Sequence, residues 1–227
     1  DHLLEDNLIL VGLIAMMDPP RLEVKESIKI CENAGITTVM ITGDHKETAI
    51  AVAKELNLLK KDSMILTGTE LEQIDDRNLK EFLPKITIFA QTSAADKLRI
   101  VRAWKSVGEI VAMTGDGIND APALKEANIG IAMGVTGTDV TKEASDMVIS
   151  DDNFSSIVNA IEEGRGIYDN ITKFVCYLAA SNIAELIVVS MGMLVGFIDF
   201  AGTPIVPLSA LQTLWINLAS DGLPAIA

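Results

Sequence analysis

Between Thr37 and Ile149 the chain repeats one pattern. A short apolar run gives way to a turn rich in Gly, Asp or Asn, and the turn opens a segment with helical period. The runs are Thr37–Ile41 (TTVMI), Ile86–Ala90, Glu109–Met113, Ile129–Met133 and Met147–Ile149. Helical periodicity fills Glu23–Asn33, which stops at Gly35, and then His45–Leu56, Ala94–Ser106 and Ala121–Ala127. An earlier run, Leu8–Met17 (LILVGLIAMM), is too short for a bilayer, which takes ~20 residues. It reads as a buried parallel strand stopped by Asp18-Pro19-Pro20-Arg21. Strands alternating with helices demand right-handed crossovers. The expected fold is therefore α/β: a Rossmann-like parallel sheet with helices on both faces. Functional loops in such a sheet gather at the carboxyl ends of the strands.

The rest of the chain is different. Mean hydropathy is +0.33 although 22% of residues are charged, because charge lies mostly before Phe174 and apolar residues mostly after it. Residues 174–198 hold one charge, Glu185, and residues 205–227 hold one, Asp221. Both stretches are long enough for membrane helices. The alternative for the pair is a buried helical hairpin. Residues 199–204 between them carry no Lys or Arg, whereas Arg165 and Lys173 precede the first stretch. The positive-inside rule then puts the preceding domain in the cytoplasm. The expected organisation is an α/β domain over 1–153, an amphipathic linking helix over 154–173, and membrane helices over 174–198 and 205–227, the second cut short. The chain opens at Asp1 without Met and reads as a piece of something longer. Its net charge of -14 argues against nucleic acid, whose phosphates demand a basic face. Cys31 and Cys176 are too few and too far apart for a zinc site or a disulfide framework.

Three strand-end loops carry chemistry. Thr114–Pro122 (TGDGINDAP) places Asp116 and Asp120 four residues apart on a glycine turn, where they can hold a hard cation such as Mg²⁺. Asn119 in the same loop can orient a neighbouring acceptor. Thr42-Gly43-Asp44 offers a hydroxyl and backbone N–H groups at a helix start, a cradle for an anion. Lys97, beside Asp96 at another helix start, can neutralise a phosphoryl group. Taken singly, a ligand-free turn, a helix cap and a solvated lysine explain these residues equally well.

Together the three loops resemble the haloacid dehalogenase superfamily. The strings MTGDGINDAPALKEANIGIAMG (Met113–Gly134), MMDPPR (Met16–Arg21) and ITGDHKETAIAVAKELNL (Ile41–Leu58) narrow the resemblance to P-type ATPases, over essentially the whole chain. The resemblance implies that Asp116 holds Mg²⁺ beside a phosphorylated aspartate. It implies that Lys97, Thr42 and the Gly43 amide stabilise phosphoryl oxygens, with Asp44 in the same loop, and that Asn119 and Asp120 complete the network. It puts Asp18 and Arg21 at the hinge toward a nucleotide-binding domain, with ATP as substrate. The family's nucleophile motif, Asp-Lys-Thr-Gly-Thr, does not occur in these 227 residues. The expected domain therefore lacks its first strand and its phosphorylated aspartate. Its implied partners are the rest of the same pump: the actuator and nucleotide-binding domains and the other membrane helices, in a lipid bilayer.

In the apolar stretches, Asn182 and Glu185 stand three apart and Asn217 and Asp221 four apart, so each pair shares a helix face. Intramembrane carboxylates are costly and mark function by default. Helix–helix hydrogen bonding could account for the asparagines but hardly for both carboxylates. Oxygen donors on two helices suit a hard cation, most simply Ca²⁺. SNIAEL (Ser181–Leu186) and LWINLASDGLPA (Leu214–Ala225) resemble the fifth and sixth membrane helices of sarcoplasmic-reticulum-type calcium pumps, with Ser220 in place of a threonine. A pump for another cation (Na⁺, K⁺, H⁺ or Mg²⁺) and a short non-catalytic membrane protein with a pump-like fold are the other readings.

Overall fold

The computed structural model describes residues 19–198, 201–203 and 208–222, and the isolated positions 9, 11, 12 and 14. Most of the Leu8–Met17 run, and Asp18, lie outside the described residues. Ile9, Val11, Gly12 and Ile14 belong to no strand. The chain divides into two compact units, Asp1–Val158 and Asn159–Ala227.

The first unit begins with α1 (Leu22–Asn33), which ends as the sequence predicts: Gly35 has φ +76°, a backbone that glycine adopts without strain. There follow β1 (Met40–Ile41), α2 (Lys46–Glu55), β2 (Met64–Thr67), α3 (Gly68–Glu72), α4 (Asp76–Phe82) and β3 (Ile86–Ala90). Then come α5 (Ala94–Ser106), β4 (Ala112–Gly115), α6 (Ala121–Glu126), β5 (Ile129–Met133), α7 (Asp139–Ala144) and β6 (Met147–Ile149). Every pairing is parallel. The strands do not form the one sheet expected. They form two of three strands each, β1–β3–β2 and β4–β5–β6. The physical reason is that β1 pairs with β3 alone and β4 with β5 alone, so the two halves share no ladder among the described residues.

Strand β3 shows why the first half holds. Phe89 packs with Leu71, Leu79, Leu83 and Ile100 on one face, while Ile88 and Ala90 pack with Ile28, Ala49 and Ala53 on the other. A central parallel strand is buried on both faces, which is why its sequence is apolar but for Thr87, whose Oγ1 donates to Ser63 Oγ (2.8 Å). The segment 64–82 was not read from the sequence. Its signal is the capping box at Thr67 and Glu70, where the Glu70 N–H donates to Thr67 Oγ1 (3.3 Å) and the Thr67 N–H to Glu70 Oε2 (2.7 Å). Leu71, Leu79 and Leu83 are fully buried, and each such side chain stabilises the fold by roughly 1.5–3 kcal/mol.

The predicted linking helix and first membrane stretch form one helix, α8 (Phe154–Val195), of 42 residues. At ~1.5 Å per residue it is about 63 Å long, twice what a bilayer core requires. It is the one helix among the described residues long and apolar enough to cross a membrane. The predicted second stretch is described only over 208–222. Ser209 caps α9 (Ala210–Trp215) through a reciprocal pair with Gln212, and a π-helix, Ile216–Asp221, follows. There the Gly222 N–H reaches the carbonyl of Asn217, a wider turn than the α-helix expected.

Candidate functional site

The open sides of β1 and β4 line one cleft of about 370 Å³, bounded by Ile41, Thr42, Gly43, Lys97 and Met113–Asp116, with Asp120 and Met133 beneath. All three predicted loops therefore meet.

Thr42 continues the β1 ladder, its N–H donating to the carbonyl of Phe89 (2.9 Å). The chain then turns, with the Asp44 N–H donating to Thr42 Oγ1 (3.1 Å). The loop after β3 clamps this turn. The Thr92 N–H (3.1 Å) and Thr92 Oγ1 (3.0 Å) both donate to the Thr42 carbonyl, and the Gln91 N–H donates to the Asp44 carbonyl (2.9 Å). These bonds leave the Gly43 N–H without a partner among the described residues and exposed at the cleft. Asp44 is exposed and its carboxylate does not line the cleft.

Lys97 projects from the first turn of α5. Ser93 caps that helix in a capping box, its Oγ accepting the Asp96 N–H (3.2 Å), while Asp96 Oδ2 accepts from the Ser93 N–H (2.8 Å) and Oγ (2.7 Å). The cap explains the buried Asp96 and aims Lys97 inward. Lys97 Nζ donates to Asp120 Oδ1 at 2.5 Å, a short charge-assisted bond between side chains 17% and 8% exposed. The other Asp120 oxygen accepts the Gly117 N–H (3.2 Å). A Cβ on Gly115 would lie 2.5 Å from the Asp120 Cβ, so only glycine lets Asp120 fold beneath the strand end.

Both Asp120 oxygens are thus committed. Asp116 is the reverse: its carboxylate is exposed and takes no hydrogen bond among the described residues, while its backbone is pinned. The Thr138 N–H donates to the Asp116 carbonyl (3.0 Å), and the buried Thr141 Oγ1, which donates to the Thr138 carbonyl (2.6 Å), lies 3.4 Å from the Asp116 carbonyl. Thr138 and Thr141 had no sequence signal beyond the Thr138 cap of α7. Asn119 is exposed and is not part of the cleft wall. Arg21 lies elsewhere, its Nη1 donating to the carbonyl of Asp152 (2.8 Å).

No group of three or more His, Cys, Asp or Glu among the described residues could hold a metal alone. The donor set fits Mg²⁺ nonetheless. That ion is held by one or two carboxylates and completed by phosphate and water oxygens, and Asp116 supplies one free carboxylate at the cleft. Facing it are a hydroxyl, an amide N–H and an ammonium, all donors. A phosphoryl anion beside a hard cation fits that division.

In the second unit, Asn182 and Glu185 share a face of α8. Glu185 Oε1 is buried without a hydrogen-bond partner among the described residues. Asn217 is exposed, and Ser220 and Asp221 lie on the π-helix.

The chain belongs to the haloacid dehalogenase-like hydrolases: it matches that family over residues 1–128, and a second family of the same description over 98–161. Within that class it is similar to cation-transporting ATPases. It is 51% identical, over its whole length, to Calcium-transporting ATPase 1 of Bacillus cereus, of which it spans 25%. It is 46% identical over 98% of its length to P-type sodium-transporting ATPase4 of Toxoplasma gondii, of which it spans 17%. It also superposes on the crystal structure of a zinc-transporting PIB-type ATPase with a TM-score of 0.65 at 26% identity, over 92% of this chain and 27% of that one. The resemblance read from Met113–Gly134 and its companion strings is borne out. The chain spans about a quarter of the length of the calcium-transporting relative it matches.

Proposed function

We propose that the full-length protein is an ATP-driven Ca²⁺ pump in which this unit receives and releases a phosphoryl group. The observation that carries the reading is the convergence of Thr42, Gly43, Lys97, Asp116 and Asp120 on one cleft between two strand edges that have no second partner among the described residues. A further parallel strand, bearing the phosphorylatable aspartate, fits between β1 and β4 and delivers its carboxylate to these residues. Residues 1–153 are then the rest of the phosphorylation domain, 154–173 the link, and 174–198 and 205–227 membrane helices. The domain faces the cytoplasm, Asp18 and Arg21 stand toward the nucleotide-binding domain, and the partners are the remaining domains and membrane helices.

Catalysis is positioning and charge neutralisation. Thr42 Oγ1 and the Gly43 N–H donate to phosphoryl oxygens. Lys97 offsets their charge while Asp120 holds its ammonium in place. Asp116, from the opposite wall, is the metal ligand, and Asp120 acts mainly through Lys97. Asn119 and Asp44 stand at the rim. Mg²⁺, when bound, adds positive charge where the phosphoryl group carries negative.

For the transported ion, the orphaned Glu185 oxygen supports a cation site with Asn182, Asn217, Ser220 and Asp221, since a buried polar atom is costly without a partner. The decisive experiment is phosphoenzyme formation from ATP in the full-length protein, titrated with Ca²⁺ and with Na⁺. Activation by Ca²⁺ upholds the reading. Activation by Na⁺ alone moves it to the sodium pumps, a class the Toxoplasma relative keeps in view. No phosphoenzyme with any cation overturns it. Glu185→Gln should raise the Ca²⁺ concentration for half-activation by at least the ~10-fold that even outer-shell changes cost.

A further inference from the structure

We infer that Asp152 is a positioning residue that couples the Asp116 loop to the first turn of α8. Three segments converge on it. Asp152 Oδ1 accepts the Val135 N–H (2.9 Å), and Oδ2 accepts the Thr136 N–H (2.7 Å) and Thr136 Oγ1 (2.8 Å). Its carbonyl accepts Arg21 Nη1, from the residue that precedes α1. Its neighbours hold α8: Asp151 Oδ2 accepts from Ser156 Oγ (2.7 Å), and Asn153 Oδ1 accepts from the Ser155 N–H (2.9 Å) and Oγ (2.8 Å).

The loop Asp152 grips is short and stiff. A Cβ on Gly134 would lie 2.5 Å from the Ile149 carbonyl oxygen, and one on Gly137 would lie 1.9 Å from that of Met133. The turn therefore folds hard against β5 and β6 and has little room to adjust. Its far end is Thr138, whose N–H holds the Asp116 carbonyl, and one helical turn on is Thr141, whose hydroxyl donates to the Thr138 carbonyl (2.6 Å) and so braces Thr138. The path from Asp152 to Asp116 thus runs from its short carboxylate through the Val135–Thr136 backbone, a glycine-locked turn and the Thr138 N–H. Asp152 also has φ +50°, a backbone that costs a non-glycine residue energy and is kept only where the surroundings determine it. These bonds to its carboxylate hold its pKa at about 2, against an ordinary 3.8, so it stays charged throughout the physiological range.

The functional consequence rests on the reading of Asp116 as the metal ligand; the coupling itself does not. If Asp152 sets the Asp116 loop, a shift of that loop and a shift of the start of α8 cannot occur independently.

The test uses two variants of the full-length protein. Asp152→Gly removes the acceptors and suits φ +50°; Asp152→Asn tolerates that backbone and keeps one oxygen acceptor. Amide hydrogen exchange read by mass spectrometry should rise roughly tenfold or more at 134–138 in Asp152→Gly, the loss expected for hydrogen bonds to a charged group. It should rise also at 115–118 and 155–158, with β3 amides unchanged and Asp152→Asn intermediate. The Mg²⁺ concentration for half-maximal phosphorylation should rise severalfold at an undiminished maximal level. Unchanged exchange at 115–118 in a variant with a protected β3 overturns the coupling, whatever happens at 134–138. If Asp152→Gly also loses protection at β3, Asp152→Asn decides by the same criterion. A wild-type protein that forms no phosphoenzyme would remove the phosphoryl-transfer reading, and the exchange pattern would still decide the coupling.

Discussion

The two three-stranded halves of the first unit bring opposite chemistry to the cleft. The β1–β3–β2 half and the adjoining α5 supply donors: the Thr42 hydroxyl, the Gly43 N–H and the Lys97 ammonium. The β4–β5–β6 half supplies acceptors, the Asp116 and Asp120 carboxylates. Each half fixes its loop by the same device, a threonine N–H onto the carbonyl of the key residue: Thr92 N–H, joined by its Oγ1, onto Thr42, and Thr138 N–H onto Asp116. Backbone is used for anchoring, so side chains and the free amide remain for the ligand. The Lys97–Asp120 pair is the polar side-chain bridge inside the cleft; Arg102 and Lys105 of α5 also reach across, to Glu126 of α6. Separated charge of this kind pre-organises a site to hold an anion on one wall and a cation on the other, without reorganisation when the ligand arrives.

The bridge is the place to break that arrangement. Lys97→Met leaves Asp120 buried and uncompensated, and should cost about 3–5 kcal/mol of stability along with phosphorylation. Lys97→Met with Asp120→Asn should recover most of the stability and none of the phosphorylation; chemical denaturation and phosphoenzyme assays separate the two. If the single variant is as stable as wild type, the pair does not hold the halves together. Asp116→Asn attacks only the acceptor wall. It should lower Mg²⁺-dependent phosphorylation by ATP roughly 100- to 1,000-fold at nearly unchanged stability, and normal phosphoenzyme levels would remove its metal role. Gly115→Ala is a subtler wedge. The new Cβ must displace Asp120, for about 1–3 kcal/mol measured by urea unfolding. A neutral result would mean that Asp120 is not held beneath the strand end.

Acid should distinguish the halves most gently. Asp152 has a depressed pKa in the folded state, so its contribution is complete above about pH 3.8 and disappears as pH falls toward about 2. The acid-denaturation curves of wild type and Asp152→Asn, followed by circular dichroism, should differ above that window and converge through it. Curves that stay parallel down to pH 2 would show that the carboxylate's charge contributes nothing.

How much of this could be read from residues alone depended on the kind of signal. Ile86–Ala90, Ile129–Met133 and Met147–Ile149 were placed to the residue because short, largely apolar runs between turn residues have few other uses. The cleft loops were recognisable because they stand at strand ends, where ligands bind in parallel sheets. Strand partnership was not legible: nothing in Met40–Ile41 or Ala112–Gly115 says that each lacks a second neighbour. The different fates of Asp116 and Asp120 were hidden too. Burial and the reach of Lys97 decide them, and neither has a local pattern. Thr138 and Asp152 were missed because they work on backbone groups far along the chain.

The unpaired sides of β1 and β4 have a consequence for assembly. Among the described residues neither has a second strand neighbour, and such an edge is the kind that recruits other strands. On the proposed reading, a segment arriving from elsewhere in the polypeptide would enter a slot already walled on both sides, a long-range closure of the sort that slows folding. The same slot would accept a strand supplied as a separate peptide, by the donor-strand route that completes other open sheets. The catalytic centre would then be completed by a non-covalent fragment, and its activity would titrate with peptide concentration.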